Sequence, residues 1–195
     1  MTMEDLFNGK LVRLAGIDPE EASKTFTQWN RDSEYMRLLD SDPPRLHSTK
    51  AIKEWLEKEL EKATDMYWFA VRALEDDRLL GDVTLSVINW GSREAFAGIA
   101  IGAREFWGKG YGTDAMGLIL RYAFTELNLW RVALSVFEYN ERAIRSYEKV
   151  GFRIEGRKRQ VIQRDGRRWD ELYMGILREE WMAQNGEEAA KSEAG

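Results

Sequence analysis

Apolar positions along this chain alternate between a period of two and a period near three and a half. "KLVRLAGI" alternates and predicts a first strand. "DPEEASKTFTQWNRD" opens with Pro19 after an aspartate and predicts a helix. "STKAIKEWLEKELEKA" sets Ile52, Trp55, Leu56 and Leu60 on one face, with Ser48 or Thr49 as its N-cap. "MYWFAVRAL" and "RLLGDVTLSVINW" read as strands of a hairpin joined through "EDD", and "EAFAGIAIGA" as a further strand. "DAMGLILRYAFTEL" returns to helical spacing, turning Met116, Ile119, Leu120, Ala123 and Leu127 inward. "WRVALSVFE" is a strand, and "NERAIRSYEKVGF" a helix closed by Gly151. "RIEGRKRQVIQRDGRRWDELYMGIL" forms two antiparallel strands turning at Asp165-Gly166. With no repeat and no dividing linker, these elements predict one mixed α/β domain over residues 1–182. The small, polar, acidic residues 183–195 read as a frayed, disordered tail.

Composition narrows the chemistry. The 195 residues, 44% hydrophobic and 32% charged, suit a soluble globular chain, and the net charge of −5 argues against general nucleic-acid binding. The basic cluster Arg157, Lys158, Arg159, Arg164, Arg167 and Arg168 is interleaved with Asp165, Asp170 and Glu171, and reads as one solvated hairpin face. Cysteine is absent, which removes disulfides, thiolate nucleophiles and thiolate metal ligands and fits a cytoplasmic protein. The one histidine, His47, lies in a loop, so neither a multi-histidine metal site nor a ready serine triad is available. No long apolar run predicts a membrane span, and the N-terminus lacks a signal-peptide core. Of the eight tryptophans, Trp29, Trp55, Trp68 and Trp90 are open to two readings: core packing, or the wall of an acceptor pocket or interface.

The segment "EFWGKGYGTDAM" places Gly108, Gly110 and Gly112 immediately before a helix, with Lys109 at the rim. A helix N-terminus offers unpaired N–H groups and a favourable dipole to an anion, and glycines admit a phosphate close to the backbone. A tight turn would use the same residues. The spacing fits neither a P-loop, where the hydroxyl after lysine would be misplaced, nor a dinucleotide fingerprint. Further on, Asn140, Ala143, Ile144 and Tyr147 fall on one face of a single helix over two turns.

Together, "GKGYGT" and "NERAIRSYEKVGF" resemble the GNAT N-acetyltransferase superfamily, closest to its ribosomal-protein N-terminal and spermidine acetyltransferases. The likeness runs from about Val12 to Leu177. Gly110 and Gly112 match the family's pyrophosphate loop, while Trp107 stands where Gln or Arg is usual. The resemblance implies a mixed, mostly antiparallel sheet splayed between two strands and flanked by helices. Acetyl-CoA would be the cosubstrate, with no metal, and a small amine or protein N-terminal amine the acceptor. It also implies no nucleic-acid or membrane partner, and suggests a homodimer.

By the same resemblance, Ile99, Ala100 and Ile101 offer backbone groups to the pantetheine, with an oxyanion donor near Ile101. Phe106, Trp107, Gly108, Lys109, Gly110, Tyr111, Gly112 and Thr113 hold the pyrophosphate. Asn140, Arg142 and Ala143 flank the coenzyme arm, and Tyr147 points at the sulfur as general acid. The base is open between Glu138 and Asp170, since Ala97 and Gly98 occupy the strand position where many relatives carry a glutamate. A non-catalytic acyl-CoA-binding module is the alternative function.

Overall fold

A computed structural model describes residues 5–62 and 64–193, the side chains of 186–193 excepted. The chain begins with β1 (Val12–Ala15), α1 (Pro19–Trp29), α2 (Ser33–Leu39), α3 (Thr49–Lys62), β2 (Met66–Ala73), β3 (Leu79–Asn89) and β4 (Glu94–Ile101). There follow α4 (Tyr111–Arg121), β5 (Arg131–Phe137), α5 (Glu141–Lys149), β6 (Arg153–Arg164), β7 (Arg167–Leu177) and α6 (Arg178–Glu193). The strands lie in the order β1-β2-β3-β4-β5-β7-β6. Four pairings, β1–β2, β2–β3, β5–β7 and β6–β7, are antiparallel, and β4–β5 is parallel. That parallel ladder covers three residue pairs, Glu94–Arg131 to Phe96–Ala133.

Local chemistry accounts for the helix starts. The Asp18 carboxylate accepts from the Glu20 N–H ahead of Pro19, and Ser48 Oγ accepts from the Ala51 N–H at the start of α3. The helix α2 falls between the first two helices predicted from sequence. Asp32 caps it by accepting from Glu34 and Tyr35, and its seven residues are too few to display a period. α4 passes into a π-helical turn over Tyr122–Glu126. At the β6–β7 turn, Asp165 and Gly166 take φ of 50° and 72°, as a primed hairpin turn demands. α6 is helical to Glu193, through most of the stretch where a tail is expected; its Glu-, Ala- and Lys-rich composition is compatible with a helix.

The chain divides into two compact units. The first comprises residues up to Ser86 with Gly98–Ile119; the second, Val87–Ala97 with the chain from Leu120. In the first, Ala22 and Phe26 of α1, Ile52 and Leu56 of α3, Ala70 and Leu79 form a buried cluster, against which Trp29 and Trp68 pack. In the second, the cross-strand pairs Val132–Ile176, Leu134–Met174 and Val136–Leu172 are buried, as is Phe124. The Trp181 ring lies 5.5 Å from that of Phe124 and anchors α6. Among the described residues no helix is long and apolar enough to cross a membrane.

Candidate active site

Within the first unit, β4 runs directly into the glycine segment. A 3-10 turn over Arg104–Phe106 follows the strand, and α4 starts at Tyr111. Gly108 and Gly110 take φ of +72° and +94°, the left-handed region that side chains resist. At the start of α4 the Asp114 N–H bonds to the Gly110 carbonyl, 2.9 Å, and a helix start directs its first backbone N–H groups outward along the axis. A helix start of this kind suits an anion. At Gly112 a Cβ would stand 3.6 Å from Ile101 Cγ1, an ordinary contact, so the surrounding protein does not itself demand glycine there.

An acidic residue in the first turn would repel a diphosphate, but the Asp114 carboxylate is turned elsewhere. It accepts from the backbone N–H groups of Lys10, Leu11 and Val12 at 3.1, 2.7 and 3.0 Å. Trp107 donates its Nε1–H to the Ile101 carbonyl at 2.6 Å and tethers the loop to the end of β4. One lone pair of a backbone group expected to face pantetheine is thereby occupied. Arg104 lies over the Trp107 ring and pairs with Asp32, whose carboxyl it holds down at about 2. Phe106 is buried, its ring edge-on to Tyr111 at 5.0 Å and beneath the Arg78 guanidinium, so its side chain packs rather than reaching outward. Lys109 is exposed; Ile99, Ile101 and Thr113 are half-buried, and Ala100 is buried.

The second unit holds the remaining expected residues. Asn140 caps α5, its Oδ1 accepting from the Ala143 N–H at 3.2 Å, and Arg142 and Ala143 occupy the first turn. At the far end the Gly151 N–H bonds to the Glu148 carbonyl and the Phe152 N–H to the Tyr147 carbonyl. That pairing is a Schellman motif, made possible by a φ of +102° at Gly151. The Phe152 ring lies 6.0 Å from the Tyr147 ring, edge-on, and completes the motif's apolar contact. Tyr147 is 8% exposed, and its hydroxyl makes no hydrogen bond among the described residues. Burial pushes the phenol up to about 12, with Arg142 pulling weakly the other way.

The two candidate bases are committed to each other's surroundings. Glu138 accepts from the Asp170 N–H and from Arg157, each at 3.0 Å. Asp170 accepts from the same Arg157 at 2.7 Å and from the Gln160 N–H at 2.8 Å, and the guanidinium holds its carboxyl below the usual range. The lowered carboxyl of Asp170 is a poor proton acceptor.

A further carboxylate, not among the residues singled out from sequence, lies in the first unit. Asp82 stands in the apolar run "LLGDVTL" of β3, where the lone charge was the available signal. Its Oδ2 accepts from Trp68 Nε1 at 2.8 Å, and Oδ1 makes no hydrogen bond among the described residues. Burial pushes it up to about 6, against the Trp68 hydrogen bond.

Residues 12–153 match the family model of the acetyltransferase (GNAT) domain. The chain is 29% identical over 184 residues to the SPbeta prophage-derived uncharacterized N-acetyltransferase YokL of Bacillus subtilis, covering 92% of this chain and 97% of that one. It is also 29% identical to the spermidine N(1)-acetyltransferase of Escherichia coli K12, over 79% of this chain and 85% of the relative. The crystal structure of spermidine N-acetyltransferase from Vibrio cholerae, in complex with CoA and spermine, superposes with a TM-score of 0.76 at 27% identity, covering 88% and 98% of the two chains. The chain belongs to the GNAT family of N-acetyltransferases.

Proposed function

We propose that this protein transfers the acetyl group of acetyl-CoA directly to a primary amine. In this reading the first-turn amides of α4 and the backbone of Phe106 to Thr113 hold the pyrophosphate, Ile99 to Ile101 take the pantetheine amides, and Asn140, Arg142 and Ala143 flank the arm. The amine nitrogen attacks the thioester carbonyl, the carbon–sulfur bond breaks, and Tyr147 donates a proton to the leaving sulfur. The observation that carries the reading is the Tyr147 hydroxyl, on a ring locked by the Schellman turn yet unused by any hydrogen bond among the described residues. The resemblance to spermidine acetyltransferases favours an aliphatic polyamine as acceptor, with a protein N-terminus as the second class.

The test is a calorimetric titration with acetyl-CoA, followed by thiol release measured over polyamines and peptides with free N-termini. Thiol released in step with an acetylated amine is expected. Binding without release across the panel would leave a coenzyme-binding module instead, and no binding would overturn the coenzyme site.

A further inference from the structure

Asp82 sits where an acceptor amine would need a base. Strand alternation and the pairing of β2 with β3 (Trp68 opposite Thr84, Ala70 opposite Asp82) put these four residues on one face. Ala70 joins the cluster formed with α1 and α3, so this face is the one those helices cover. Trp29 and Trp68 pack against the same cluster, and Trp55 lies edge-on to Trp68 at 5.5 Å. Tyr35 of α2 is buried, its ring 6.2 Å from Trp29, and its phenol is pushed upward by burial and by the Asp82 charge. The Tyr35 phenol is therefore neutral beside Asp82.

The register with β4 brings in the coenzyme strand. The Gly102 N–H bonds to the Leu80 carbonyl at 2.9 Å, and Thr84 Oγ1 reaches the Gly98 carbonyl at 3.5 Å. Antiparallel neighbours tied at these two points set Asp82 level with Ala100, in the stretch assigned to pantetheine. One carboxylate oxygen is fixed by Trp68, and the other makes no hydrogen bond among the described residues.

We propose that Asp82 is the group that takes the proton from the acceptor ammonium. The inference rests on the acetyl-transfer reading above. The ammonium nitrogen gives one proton to Asp82, which passes it to solvent. The freed lone pair forms the nitrogen–carbon bond, the carbon–sulfur bond breaks, and the second proton leaving nitrogen balances the one taken up by sulfur. Amide, CoA thiol and one solvent proton result.

The experiment measures kcat/KM with acetyl-CoA against spermidine and an N-terminal hexapeptide, between about pH 5 and pH 9, for the wild type, Asp82→Asn and Trp68→Phe. The wild type is expected to rise through about pH 6. Asp82→Asn should lose that rise and fall on the order of 100-fold, with acetyl-CoA affinity unchanged by calorimetry. Trp68→Phe removes the bond that stabilises the carboxylate, so its rise should move to higher pH. Retention of wild-type kcat/KM by Asp82→Asn would overturn the assignment; if that variant does not fold, an unshifted profile in Trp68→Phe does so. Acetyl-CoA binding with no turnover of either amine by the wild type would defeat the parent reading, and this one with it, through a separate observation.

Discussion

In the proposed reaction the Tyr147 phenol must keep its proton until sulfur departs, and burial, which pushes it up to about 12, favours that. The same burial makes it a weaker acid, so a hydrogen bond strengthening as charge grows on sulfur suits it better than early transfer. No activity limb from Tyr147 is therefore expected below about pH 11. Asp82 acts in the opposite sense on stability. Its folded-state pKa is raised, so its contribution is full below the ordinary carboxylate range and is lost as pH rises through about 6. At pH 7 the charged form costs the fold on the order of 2–3 kcal/mol. Asp82→Asn should accordingly raise the thermal midpoint at pH 7 while it lowers turnover, as functional residues often do. A midpoint several degrees lower would mean that the carboxylate supports the fold instead. At the glycine segment, Gly108→Ala meets no neighbour but forces a side chain to φ +72°. It should destabilise by about 1–2 kcal/mol and weaken acetyl-CoA binding, both readable by calorimetry.

Among elements, α5 links sequence to chemistry most directly. Gly151→Ala would strain a left-handed turn and drive a Cβ into Gln184 and Ile176, destabilising by about 1–3 kcal/mol. Turnover should fall more than acetyl-CoA affinity, because the turn sets Tyr147. Much of this was legible: "EKVGF" announced the cap, "RDG" the hairpin, and alternation the strands, since each has a local cause written in adjacent residues. Asn140 satisfies both readings of its position, because a capping Oδ1 leaves its amide hydrogens available. What stayed hidden depends on distant partners. The partners of Glu138, Arg157 from β6 and the Asp170 N–H, lie far from it along the chain. Asp82 drew no reading from sequence, because Trp68 comes to it from another strand and Tyr35 from a helix. The Asp170 carboxyl, lowered by Arg157, contributes stability above the usual carboxylate range and loses it as pH falls through the lowered value. Arg157→Ala should therefore begin acid unfolding at higher pH, without removing the activity rise assigned to Asp82.

At the scale of the molecule, the two compact units divide the expected residues: the glycine segment and Asp82 belong to the first, and the α5 residues with Tyr147 to the second. Coenzyme binding to the folded chain alone adds RT ln(1 + [L]/Kd), about 2.7 kcal/mol at a hundredfold excess over Kd, or about 5–10 °C in thermal midpoint. Gly110→Ala, at φ +94°, should lose most of that shift. The central claim is that a phenol on α5 serves the departing thiol. Its most direct test is Tyr147→Phe, assayed on an amine the wild type acetylates, with acetyl-CoA affinity measured alongside. A fall in kcat of about 100-fold or more, with affinity and thermal midpoint nearly unchanged, is the predicted result. Turnover equal to the wild type would contradict the account.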